Sequence, residues 1–173
     1  NEWAVCSVVN SNDDSNRIAT GYSRQTSNAK RIIKINETVL QKQSEVLQYL
    51  KIIWLTPQMD GIFLDSPSTR RKLIDRLSYN FYPEHATEVA KYEHYLRSRI
   101  KLLTNGSYDE IWVDNLEKSI VEAAINIARK RIECIDLLNK YISELKTAFI
   151  KPILQVKGQV EDMVLESGQD DLK

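Results

Sequence analysis

The feature that most constrains this chain is a long apolar stripe in its second half. Leu116, Ile120, Ala123, Ile127, Cys134, Leu138, Tyr141, Leu145 and Ala148 recur at steps of four and three, broken only at Lys130 and Arg131. Such spacing keeps one narrow face apolar along an α-helix. It predicts one helix from near Glu110 to Pro152, about 60 Å long at roughly 1.5 Å per residue. A helix so long and so one-sided must pack on other helices.

The obvious partner lies just before it. Val89, Tyr92, Leu96 and Leu103 follow Pro83 at helical spacing, and Asn105 and Gly106 stop that helix, because glycine takes the left-handed conformation that ends helices at little cost. A turn this short makes the two helices antiparallel neighbours. Ser107 and Glu110 have the spacing of a capping box for the long helix. An earlier helix opens at Ser66, which can cap, and Pro67, which suits the first helical position. Leu73, Ile74 and Leu77 form its apolar side, and it should end near Tyr82 and Pro83.

The first third reads differently. Residues 3–9, 17–24 and 30–36 are short runs rich in β-branched or aromatic residues, and the polar turn NSNDDSN separates the first two. They predict a small antiparallel sheet with one wet face. Val46, Leu47 and Leu50 then follow helical spacing. Residues 51–56 (KIIWLT) form a continuous apolar run ended by Pro57, which favours a buried strand. After Ile153 a weak alternation gives way to an acidic tail, expected to begin a strand or to be disordered. The fold class is therefore α+β, mainly α with an N-terminal β portion. The composition shift near residue 57 is the one plausible boundary, giving 1–56, 57–155 and a return segment 156–173. At 173 residues the chain suits one domain, or one with a piece of another.

Composition excludes several function classes. Lys plus Arg and Asp plus Glu are 24 each, so no overall positive field draws the chain to phosphate, and any DNA contact must come from a local patch. Cys6 and Cys134 lie far apart, without zinc or disulfide spacing, which fits a reducing cytoplasm. No apolar run is long enough to span a bilayer. The five glycines are isolated, so no phosphate-cradling loop is present. His85 and His94, about 13–14 Å apart by helical rise, do not share a metal or form an acid/base pair, and read as surface or satisfied core histidines. Asp60, Asp65 and Asp75 are too irregularly spaced for a catalytic carboxylate pair. No catalytic or metal-binding residue is expected.

Binding candidates remain. Arg70, Arg71 and Lys72 fall in the first turns of a capped helix, with Arg76 one turn on, where cations meet the positive end of the helix dipole. Something should compensate them. Ion pairing to acids such as Asp65 and Asp75 is the reading that spacing favours; phosphate of DNA or nucleotide is the sharper one. Arg97, Arg99 and Lys101 cluster late on the second helix, where cations are dipole-favoured and a solvated face is the simpler reading. Tyr92 and Tyr95 beside them are expected to pack. Gln58 follows the expected buried strand and a proline, a strand-exit position where ligands meet open α/β sheets.

The run WLTPQMDGIF followed by SPSTRRKLIDRL resembles the RecF family. Its members carry a buried strand, a Ser/Thr-Pro pair, a short loop and a paired-arginine helix ending in a Leu/Ile-Asp-Arg step, here Thr56 and Pro57, Arg70 and Arg71, and Ile74, Asp75 and Arg76. Residues 92–103 (YEHYLRSRIKLL) resemble the family's tyrosine-led helix, with Ile100 where Asn is usual. The resemblance implies a long antiparallel helical arm attached to a few strands of an ABC/SMC-type ATPase head. It further implies a weak ATPase using ATP and Mg, whose phosphate loop would lie before Asn1 and whose signature and acidic motifs would follow Lys173. By the same resemblance such proteins dimerise around ATP and bind DNA at single-strand/double-strand junctions. They act with RecR and RecO in recombination, repair and the SOS response. The resemblance makes Gln58 a candidate nucleotide sensor, and Arg70 and Arg71 candidates for facing DNA or a partner at the base of the arm. A structural helical interaction module without a nucleic-acid role is the alternative, for which neutral charge and a long stripe suffice.

Overall fold

The computed structural model describes residues 2–10, 14–22, 31–41, 43–54, 56–104, 106 and 109–170. The turn at 11–13, the ends of two expected strands at 23–24 and Lys30, Leu55 within the expected strand at 51–56, and Asn105 and Ser107 lie outside the described residues. The chain divides into two compact units, Asn1–Trp54 and Leu55–Lys173.

The first unit is a four-stranded antiparallel sheet in sequence order, β1 (Trp3–Asn10), β2 (Ser15–Tyr22), β3 (Arg31–Ile35) and β4 (Thr38–Val39). The register sets Ser7, Ile18 and Ile35 side by side, and Ile18 and Ile35 are its buried apolar residues. The opposite face, with Cys6, Ala19 and Lys34 in register, is the wet one, and there Arg17 Nε donates to Cys6 Sγ at 3.1 Å. The two-residue loop between β3 and β4 places Asn36 and Glu37 at positive φ, 48° and 70°. This is the hairpin geometry whose twist matches the strands. Asn36 is held there by Arg17 N donating to its Oδ1 and by its own Nδ2 donating to Asn16.

Residues 43–48 form a 3-10 helix, in line with the apolar spacing from Val46 to Leu50. The expected buried strand at 51–56 is not formed by its described residues, 51–54 and 56. Residues 51–54 have no regular structure, and Ile53 and Trp54 are 62% and 50% exposed. An apolar run becomes a buried strand only between neighbouring strands, and the β1-β2-β3-β4 order sets none beside these residues.

The second unit is helical: α1 (Pro67–Phe81), α2 (Glu84–Thr104), α3 (Glu110–Glu144) and α4 (Gln159–Asp170). Ser66 caps α1, its hydroxyl accepting from Thr69 N at 3.4 Å, with Pro67 at the first helical position. Gly106, at φ +71°, takes the left-handed conformation that any Cβ would strain, just beyond α2. Asp109, rather than Ser107, is the cap of α3, accepting from Ile111 N at 2.9 Å. Arg99 meets Glu117 and Glu88 meets Asn126. Going down α2 therefore means going up α3, and the pair is antiparallel.

α3 has 35 residues, about 52 Å at roughly 1.5 Å per residue, and is shorter than the stripe implied. Leu145 is already extended, so Leu145 and Ala148 lie beyond the helix, and Phe149 and Ile150 are 85% and 96% exposed. The chain turns back here because its return is tied to α3. Asn139 exchanges two hydrogen bonds of 2.9 Å with the backbone of Leu154, and Lys151 Nζ donates to the terminal carbonyl of Ser143. The tail, expected as a strand or as disorder, is α4. Its short alternation ends at Gly158, and Glu161 and Asp162 sit in the first turn, where acids favour a helix.

A buried ionic cluster and a candidate binding face

Among the α3 core residues, Ala123, Ile127 and Cys134 were legible as stripe positions and are buried. The step from Ile127 to Cys134 skips one position of the four-three rhythm, and Arg131 fills it. Its side chain is only 12% exposed. A guanidinium in a helical core needs compensation, and two other helices provide it. Arg131 Nε and Nη2 donate to Asp75 Oδ1 and Oδ2 of α1 at 2.8 and 2.9 Å, and Nη1 donates to Glu161 Oε1 of α4 at 2.8 Å. From the start of α2, His85 Nε2 donates to Asp75 Oδ1 at 2.9 Å, with the His85 ring fully buried. The carboxylate fixes the tautomer, leaving Nδ1 buried with no partner among the described residues.

Burial pushes the Asp75 carboxyl up, but hydrogen bonds from His85 and Arg131 and the Arg131 charge outweigh it and hold it below its usual range. Burial likewise pulls the Arg131 guanidinium down, and Asp75 and Glu161 more than restore it. The cluster joins all four helices through two carboxylates, one guanidinium and one imidazole. Close by, burial raises the Cys134 thiol, opposed in part by the Ser78 hydroxyl.

This geometry corrects two expectations. Asp75 does not compensate the α1 cations: it is buried and committed to Arg131 and His85. Asp65 does not either. Arg70 reaches back to the carbonyls of Phe63 and Asp65, bracing the turn before the helix. Arg71 and Lys72 are exposed and form no ion pair among the described residues. Arg76 is half-buried, and its carbonyl accepts from Asn80 Nδ2.

The remaining candidates are scattered. Arg97 pairs with Glu93 one turn earlier at 3.4 Å, Arg99 bridges to Glu117 at 2.7 Å, and Lys101 is exposed. The second cluster is thus mostly spent on pairing with α2 and α3. Gln58 is exposed on the short 3-10 turn Pro57–Met59. His94 is exposed, and no group of three or more His, Cys, Asp or Glu among the described residues could hold a metal ion. No helix among the described residues is long and apolar enough to cross a membrane.

No family model matches the chain. Its relatives are nonetheless consistent. The DNA replication and repair protein RecF of Rickettsia bellii (strain OSU 85-389) is 38% identical over 127 residues, 73% of this chain and 35% of the relative. That of Rickettsia akari (strain Hartford) is 37% identical over 143 residues, 83% of this chain and 39% of the relative. This chain belongs to the RecF family. It spans less than half the length of these relatives. A solved structure of the recombination mediator protein RecF-ATPrS in the RecFOR pathway shares the fold, with a TM-score of 0.73 and 20% identity, covering 99% of this chain and 49% of that one. A second, of RecF-ATP, gives a TM-score of 0.71 over 99% of this chain and 50% of that one.

With RecF membership established, the residues that carried the resemblance divide by role. Ser66 and Pro67 start α1, Arg70 braces the preceding turn, and the acid of the Ile-Asp-Arg step is the anchor of Arg131. Arg71 and Lys72 are left facing solvent. Sequence reasoning missed Arg131, Glu161 and the role of His85. The one signal available was the break in the stripe, where an arginine stands in a core position.

Proposed function

We propose that the chain is part of a RecF-type DNA replication and repair protein that binds single-stranded or gapped DNA in an ATP-dependent manner. In this reading residues 1–56 belong to the ATPase head lobe, 57–155 form the arm that meets DNA or partners, and 156–173 return toward the head. The complete protein binds ATP with Mg, forms an ATP-dependent dimer and works with RecR- and RecO-type mediators in the cytoplasm. The observation that carries the DNA contact is the exposed pair Arg71 and Lys72, without ion-pair partners among the described residues, at the dipole-disfavoured start of α1. Cations held there without compensation suit phosphate.

The test is salt-dependent binding of this chain to a labelled gapped duplex. Arg71→Glu with Lys72→Glu should weaken binding about tenfold or more and flatten the salt dependence; unaltered affinity would remove the DNA role. Gln58 is proposed to sense the nucleotide state. Unchanged ATP-dependent dimerisation and hydrolysis in a complete protein carrying Gln58→Ala would remove that role. The alternative, a helical protein-interaction module, draws support from the zero net charge and predicts no binding to gapped DNA at any salt concentration.

A further inference from the structure

Beside the ionic cluster runs a groove of about 530 Å³ between α1 and the extended return before α4, within the roughly 300–1,000 Å³ of ligand clefts. Leu73, Ile74 and Leu77 form one wall, Ile135 and Leu138 the floor, and Leu154 and Val156 the other wall. Phe63 stands at its mouth, 72% exposed. The charges around it are one-sided. Glu161 is the one acid among the lining residues and is held by Arg131 at the floor, which leaves Arg70, Arg71 and Lys157 as the charges of the rim. In a chain of zero net charge this is a local excess of positive charge over an apolar trough. No backbone hydrogen bond joins residues 155–157 to another described segment.

We infer that this groove binds an acidic peptide segment of a partner protein, with apolar side chains seated between α1 and the return and carboxylates on Arg71 and Lys157. The division of chemistry selects this occupant. A nucleic-acid backbone would use the rim and gain nothing from the trough. A small polar ligand would lack the convergent polar groups that orient one. A peptide alternating apolar and acidic side chains satisfies both parts, with the trough giving affinity and the rim giving selection and faster association. The inference shares Arg71 with the DNA reading but does not rest on it, since that reading needs neither Lys157 nor the trough.

The test is fluorescence anisotropy of this chain with three labelled probes: a synthetic peptide repeating Leu-Glu-Phe-Asp, its counterpart with Lys for every acid, and polyglutamate. The acidic apolar peptide should bind saturably and both others at least about tenfold more weakly. Arg71→Glu with Lys157→Glu, both at exposed positions, should lower that affinity about tenfold with an unchanged thermal midpoint. Phe63→Ser should lower it without changing any charge. Absence of binding, equal binding of the lysine peptide or polyglutamate, or indifference to the double variant would overturn the inference. So would sedimentation showing a dimer of the chain that the double variant dissolves, which would assign the groove to a second copy. Gapped DNA competing for the groove in the Lys72→Glu variant would assign it to phosphate instead.

Discussion

Asp75 and Arg131, 56 residues apart, meet through two parallel hydrogen bonds of 2.8 and 2.9 Å, and this pair joins α1 to the middle of α3. Glu161 and His85 attach to opposite ends of it, so α2 and α4 are held through the same two side chains. Removing one member strands the others in a dry site. Arg131→Met should cost about 3–5 kcal/mol of unfolding free energy, measured by urea denaturation. Adding Asp75→Asn should cost clearly less than the sum of the single changes. Additivity to within about 0.5 kcal/mol would show the pair to be energetically independent.

The same carboxylate gives the unit a defined acid lability. Asp75 is held below its usual range in the folded state, so its contribution is present above its unfolded pKa of about 3.9 and is lost as pH falls through the folded value. The thermal midpoint should drop more steeply from about pH 5 to about pH 3 in the native chain than in Asp75→Asn. Parallel curves would exclude Asp75 as the responsible group.

Gly158 owes its place to Glu161. A Cβ there would overlap the Glu161 carboxylate, which cannot swing away without releasing Arg131. Gly158→Ala should destabilise by roughly 1–2 kcal/mol, although alanine is ordinarily the better residue beside a helix. In a Glu161→Ala background the same change should be neutral or stabilising. A full penalty in both backgrounds would place the cause in the backbone.

Ser66 supplies the side-chain cap at the start of α1. Ser66→Ala should cost about 1 kcal/mol, and Ser66→Asp should retain most of that. Chemical denaturation of the two variants decides it, and equal losses would show that the hydroxyl cap contributes nothing beyond Pro67 and the bracing by Arg70.

Local physics was legible in the sequence. Ser66 and Pro67 set where α1 starts, Gly106 where α2 ends, and the four-three stripe where α3 buries Ala123, Ile127 and Cys134, because caps, breakers and periodicity act within a few residues of themselves. Segments whose state depends on a neighbour were misread. The run at 51–56 looked like a buried strand, yet residues 51–54 are exposed and no strand among the described residues lies beside them. The weak alternation after Ile153 suggested a strand start or disorder, yet it leads into a helix fastened by Glu161 to Arg131.

The sequence by itself determined the α+β class, the helical unit and the family, all of which follow from short-range pattern and from motif residues. Only the tertiary structure decided which charges are free. Asp75 and Arg71 lie four residues apart on one helix, and nothing local tells the buried acid from the exposed cation. Burial assigns them, since a carboxylate removed from water must find Arg131 and His85, while a guanidinium left in water remains available to bind.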